Sequence, residues 1–60
     1  MSETERPIQV LIADDHPVTR EGISTILAAA PDIDVIGTAK DGREAQELVK
    51  ALHPDILLLD

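Results

Sequence analysis

Three apolar runs alternate along this chain with two stretches whose apolar residues recur every three or four positions. The first run, IQVLIA at Ile8–Ala13, is apolar at nearly every position, the pattern of a strand covered on both faces. Asp14, Asp15 and His16 end it, and Pro17 suits a first helical position, where its missing N–H is not needed. Within residues 17–30, Ile23, Ile26, Leu27 and Ala30 fall at i, i+3, i+4 and i+7, one face of a helix. Gly22 lies on the same stripe, which predicts a close approach to another backbone. Pro31 and Asp32 stop this helix. Residues 33–38 read as a second strand, interrupted by the polar Asp34 and by Gly37. Asp41 then caps a second helix, with Glu44 three residues on in the reciprocal capping arrangement. Ala45, Leu48, Val49 and Leu52 repeat the helical stripe, and His53-Pro54 closes it. Residues 55–59, DILLL, form a third strand, apolar on both faces, that leads into Asp60.

A β-α-β-α-β order with short connections predicts a parallel sheet. The second strand is the polar one and belongs at an edge, which gives the spatial order 2-1-3. Right-handed crossovers then place the two helices on opposite faces of the sheet. The first and third strands flank the point where the chain reverses its direction of winding. Ligands bind outside the carboxyl ends of strands at such points.

Composition narrows the function. The chain is 43% hydrophobic, which is a globular composition. It lacks cysteine and all three aromatic types, so disulfides and thiolate metal sites are excluded and the core must be aliphatic. Sixty residues make a marginal core, which reads as part of a domain. The net charge of −7, from 12 acidic and 5 basic residues, speaks against direct contact with nucleic acid or an anionic membrane. No apolar run approaches the roughly 20 residues of a membrane span. MSETERP lacks the apolar stretch of a signal peptide, so a cytoplasmic protein is expected.

Asp14 and Asp15 end the first strand, and Asp60 ends the third. Neighbouring strands lie about 4.8 Å apart, so the three carboxylates converge and repel unless a cation lies among them. Oxygen-only ligation in a wet cleft suits a hard ion such as Mg²⁺, which keeps several waters and commonly sits beside phosphate. LIADDHPVTREGI, GTAKDGREA and PDILLLD, in this order, resemble the receiver domain of bacterial two-component response regulators. DDHP followed by Arg20, Glu21 and Gly22 is most similar to the NarL/FixJ branch, and the resemblance runs from residue 8 to residue 60.

The resemblance implies a CheY-like, flavodoxin-like doubly wound α/β fold, of which residues 8–60 are the N-terminal half, after a flexible lead-in at residues 1–7. It implies that Asp60 is the phosphoacceptor, taking a phosphoryl group from a sensor histidine kinase. It implies Asp15 as a direct Mg²⁺ ligand, Asp60 as a further metal-binding residue and Asp14 as one acting through water. The function implied is control of a DNA-binding output domain, without independent substrate turnover. In such receivers a backbone carbonyl two residues past the acceptor, a Ser or Thr ending the fourth strand and a Lys ending the fifth complete the site. None of these lies within the sequence, so normal phosphoryl turnover is not expected of this segment alone.

Simpler roles stand beside these. Acidic residues before a helix also favour its positive end. His16 reads as a capping or solvent-facing residue, His53 as a helix-end residue without chemistry, and Arg20, Glu21, Arg43 and Glu47 as a solvated helical surface. Arg20 has a partner face as its alternative role. The order D-D-H-P does not fit the D-x-D-x-[TV] of haloacid-dehalogenase phosphatases. With no glycine between Met1 and Glu21, a dinucleotide site is excluded too. The remaining alternative is a receiver fragment acting only as an interaction or dimerisation module. An internal third strand with one side open also predicts self-association, as a homodimer through that strand.

Overall fold

In the computed structural model, which describes residues 6–59, five elements follow one another. They are β1 (Ile8–Ala13), α1 (Pro17–Ala28), β2 (Ile33–Ala39), α2 (Gly42–Leu52) and β3 (Ile56–Leu59). All strand pairs are parallel and the spatial order is β2-β1-β3. The predicted α/β architecture and strand order are therefore observed.

The core is β1. Val10, Leu11, Ile12 and Ala13 are all buried, because strands flank β1 on both sides and helices cover both faces. Leu11 is 0% exposed. On the α2 side, Ala13, Ala39 and Ala45 pack together with Leu48 against them, small residues that let helix and sheet approach closely. β2 carries one residue more than β1, and the register shifts between Val10 and Leu11, leaving Ile36 without a partner in β1. Gly37 follows that irregularity. A Cβ there would lie 3.2 Å from Leu11 Cδ1 and 3.3 Å from Leu52 Cδ1, so the side chains of β1 and α2 meet over a position kept free of one.

Gly22, which the helical stripe singled out for a close approach, has nothing within 4 Å of a Cβ built upon it. The stripe itself is rotated from expectation. Ile23, Leu27 and Ala30 are half-buried, whereas Ile26 is 72% exposed. A helix on a three-stranded sheet covers it with a narrow face, and Ile26 falls on the flank. α1 also ends at Ala28, two residues early. The N–H groups of Ala29 and Ala30 donate to Ile26 and Leu27 carbonyls three residues back, tightening the chain before Pro31.

The α2 start follows the prediction with one change. The Glu44 N–H donates to Asp41 Oδ1 at 2.8 Å, a cap worth about 1 kcal/mol. The Glu44 side chain reaches back one residue further than a capping box requires, accepting the Lys40 N–H at 2.9 Å. At the other end His53 adopts a left-handed conformation with φ 52°, its N–H donating to the Val49 carbonyl. This conformation usually falls to glycine, and Pro54 follows it as a stop.

β3 begins at Ile56, one residue later than expected, because Asp55 acts as a clamp. The Asp55 N–H donates to the Gln9 carbonyl, and Asp55 Oδ2 accepts the Gln9 N–H, both at 2.8 Å. The Arg6 guanidinium lies 3.4 Å from Oδ1. The remainder of the proposed lead-in, residues 1–5, lies outside the described residues. The Gln9 N–H foremost, and then Arg6, hold the Asp55 carboxyl below its ordinary 3.8. A depressed acid contributes stability above its unfolded-state pKa and loses it as pH falls through the folded one. Asp55→Asn should therefore be less stable than the parent at neutral pH, with urea midpoints that converge below pH 3.8. A gap that stays constant with pH would contradict this origin.

β3 is apolar on both faces and has one side open, as expected. Ile56, Leu57, Leu58 and Leu59 are 37–68% exposed, because β3 pairs with β1 alone and has an open edge.

Candidate functional site

All three strands point the same way, so their carboxyl ends share one rim. The chain leaves β1 as Asp14-Asp15-His16 and β2 as Lys40-Asp41, while β3 reaches Leu59. Asp14, Asp15, Lys40, Asp41 and Leu59 line a cleft of about 250 Å³ on this rim. The parallel register pairs Ala13 with Leu59, which brings the last described residue of β3 level with the residue preceding Asp14. Asp60 itself lies outside the described residues.

Asp14 is the anchored carboxylate. Its side chain is 1% exposed. Its N–H donates to the Ala39 carbonyl at 3.1 Å, and its Oδ1 accepts the His16 N–H at 2.8 Å, bending the chain out of β1. Asp15 faces solvent, with a side chain 75% exposed. The two adjacent acids thus occupy opposite environments, one buried at the end of the sheet and one exposed to solvent.

His16 and Arg20 differ from the simplest readings of them. His16 does stand at the N-cap of α1 and is exposed, but its side chain makes no capping bond. Its Nδ1 instead lies 2.8 Å from Asp15 Oδ1 and 3.2 Å from Asp14 Oδ1. Arg20, expected on a solvated surface, donates from Nη1 to the Asp14 carbonyl at 2.7 Å. One helical turn from His16, it ties α1 to the end of β1. Lys40 joins these residues at the cleft without a motif to mark it. The signal was present: in a parallel sheet the residue after every strand lies at the same rim.

Asp14, Asp15 and His16 offer donor atoms that lie within 4.8 Å of one another. Two carboxylates, one buried and one exposed, form a donor set that fits a hard divalent cation with several waters. Lys40 lines the same cleft and brings a positive charge to this rim. Among the described residues, no helix is long and apolar enough to cross a membrane.

Comparison with known proteins agrees with this geometry. Residues 10–60 match the response regulator receiver domain family. The chain is 43% identical over 56 residues to the nitrate/nitrite response regulator protein NarL of Escherichia coli K12, covering 93% of this chain and 26% of that protein. It is 49% identical to the transcriptional regulatory protein LiaR of Bacillus subtilis, covering 88% and 25%. The same segment is 49% identical to part of a protein-glutamate methylesterase/protein-glutamine glutaminase of Hydrogenovibrio crunogenus, covering 88% and 14%. Among solved structures, the signal receiver domain of the putative response regulator NarL from Mycobacterium tuberculosis superposes with a TM-score of 0.89 at 44% identity. That superposition covers 92% of this chain and 44% of the other. The chain thus spans about a quarter of the length of the two regulators. With its strand order, its acidic rim and these similarities taken together, the chain belongs to the response regulator receiver domain family.

Proposed function

We propose that Asp60 accepts a phosphoryl group from a phosphohistidine on a sensor histidine kinase. Asp15 then holds Mg²⁺ directly and Asp14 holds it through water. A carboxylate oxygen of Asp60 attacks phosphorus, the P–N bond to the donor histidine breaks, and the departing imidazole nitrogen keeps the bond's electron pair and takes up a proton. Bound Mg²⁺ supplies charge neutralisation for the entering phosphoryl oxygens. This chain's residues do the positioning: Asp14 is locked by the His16 and Ala39 backbone, and Arg20 fixes the turn that carries it. The observation that carries the reading is the pairing of Leu59 with Ala13, one residue before each of the two acidic positions.

In the full-length protein, this state change controls a separate DNA-binding domain in the cytoplasm, as relatives named as transcriptional regulators support. No independent substrate turnover is assigned to residues 8–60, the receiver's N-terminal half. Incubating the full-length protein with acetyl phosphate and Mg²⁺ should add the mass of one phosphoryl group, and chelation by EDTA should prevent it. Uptake indifferent to EDTA would sink the metal assignment.

A second reading rests on β3. Its open edge and its four exposed aliphatic side chains favour pairing between two copies of the 60-residue chain. Sedimentation velocity is expected to show a dimer or larger species for this chain, and a compact stable monomer would contradict it.

A further inference from the structure

We propose that Arg20 is a positioning residue for the phosphoryl-transfer site: by holding the Asp14 carbonyl, it sets the direction in which Asp15 presents its carboxylate. The inference rests on the reading of Asp15 as the residue that holds Mg²⁺ directly, and adds to it the group that aims that residue.

Asp15 has little of its own to hold it. Its side chain is 75% exposed, and among the described residues its carboxylate meets only the exposed His16 ring. Its direction is therefore set by the two peptide planes on either side of its Cα. Each plane is rigid, and only the φ and ψ of Asp15 lie between them. Both planes are pinned. The following one is held by its His16 N–H, which donates to Asp14 Oδ1 at 2.8 Å. The preceding one is held by its Asp14 carbonyl, which accepts a hydrogen bond from Arg20 Nη1 at 2.7 Å.

The Arg20 bond fills a place that the sheet leaves empty. The Asp14 N–H still finds a strand partner in the Ala39 carbonyl. β2 ends there, and the chain turns into α2 at its N-cap Asp41, so no strand continues beside the Asp14 carbonyl. Asp14 is 3% exposed, and a backbone carbonyl buried without a donor is costly. The guanidinium supplies a charge-assisted donor in its stead. Arg20 is itself fixed within the first turn of α1, where its N–H donates to the His16 carbonyl at 2.9 Å. Asp14, His16 and Arg20 thus form a closed path of bonds around Asp15. Lysine is a poor substitute in that path, with a compact ammonium in place of the planar fork.

The test measures Mg²⁺ affinity of the unphosphorylated full-length protein by isothermal titration calorimetry. A second measurement gives the rate of phosphorylation by acetyl phosphate at saturating Mg²⁺. Arg20→Ala should weaken Mg²⁺ binding roughly 10–100-fold, the range found when a partner behind a metal ligand is removed, while the saturated rate falls far less. A residue that only stabilised α1 would lower the urea midpoint and leave the Mg²⁺ affinity of the folded protein alone. The loss should persist at high salt, which screens a charge effect and not a missing hydrogen bond. Arg20→Lys keeps the charge and should still bind Mg²⁺ more weakly than the parent, which decides the matter if Arg20→Ala does not fold. Parent-like affinity in folded Arg20→Ala or in Arg20→Lys, or a loss confined to low salt, would overturn the proposal and leave Asp15 standing as the ligand. Asp15→Asn separates the two readings. If it bound Mg²⁺ as the parent does, Asp15 itself would be misassigned and the role of Arg20 would fall with it.

Discussion

Asp60→Asn is expected to abolish phosphoryl uptake in the full-length protein, with its fold kept and its Mg²⁺ binding weakened. The reason lies in the division of labour at the rim. Phosphoryl transfer asks a protein mainly to position groups and neutralise charge, so most substitutions there slow the reaction. Removing the attacking oxygen stops it. An amide keeps the size of the carboxylate but presents a neutral, poorly nucleophilic oxygen. Asp15→Asn should differ in kind: the nucleophile stays, so uptake should persist weakly and require far more Mg²⁺. Intact-mass measurement with acetyl phosphate separates the two. Full phosphorylation of Asp60→Asn would show that another residue is the acceptor.

Leu11→Ala is expected to cause the largest loss of stability of any single truncation. Leu11 is wholly buried in the central strand, with the Gly37 backbone and the layer below α2 packed over it. Deleting a buried leucine side chain costs about 2–5 kcal/mol, transfer and cavity together. Whole domains hold only about 5–15 kcal/mol, and a core this small belongs at the low end. The rest of the core cannot compensate, since the buried hydrophobic set is aliphatic and includes three alanines, Ala13, Ala39 and Ala45. Circular dichroism of Leu11→Ala should therefore show most of the helical signal lost at room temperature. Ile26→Ala, at an exposed site on α1, should change the urea midpoint little, within about 0.5 kcal/mol. Equal losses in the two variants would contradict the placement of the core.

These contrasts show which parts of the structure the sequence exposes. Strand order was legible because polar residues mark edges: Asp34 and Gly37 put β2 outside, and β1 reads as apolar throughout. The face of α1 was legible only to within a residue. A stripe at i, i+3, i+4 and i+7 spans more arc than a helix buries on a narrow sheet, so Ile26 was wrongly included. Gly22 failed for a related reason. Periodicity says which side of a helix a residue occupies, not what stands opposite. Gly37 was the tight position, and a glycine within a strand was the available sign of it.

The acidic rim was legible because strand ends are sequence features. Parallel strands bring Asp14 and Asp15 beside the end of β3 without any side-chain detail. The finer structure of the rim was not legible. Arg20 crosses a helical turn to reach a backbone carbonyl, and Glu44 selects the Lys40 N–H over that of Asp41. Such choices depend on rotamers and on a few tenths of an ångström. That His16 lies against both carboxylates while leaving the helix cap unfilled belongs to the same class.

The central claim is that Asp60 is the residue that takes the phosphoryl group. The most direct measurement traps the acyl phosphate formed in the full-length protein by borohydride reduction, which converts the phosphorylated aspartate to homoserine. Peptide mass spectrometry then locates it. The account predicts homoserine at position 60 and none at Asp14 or Asp15. Homoserine at either of those, or a phosphate that resists reduction and stays on another residue, would contradict it.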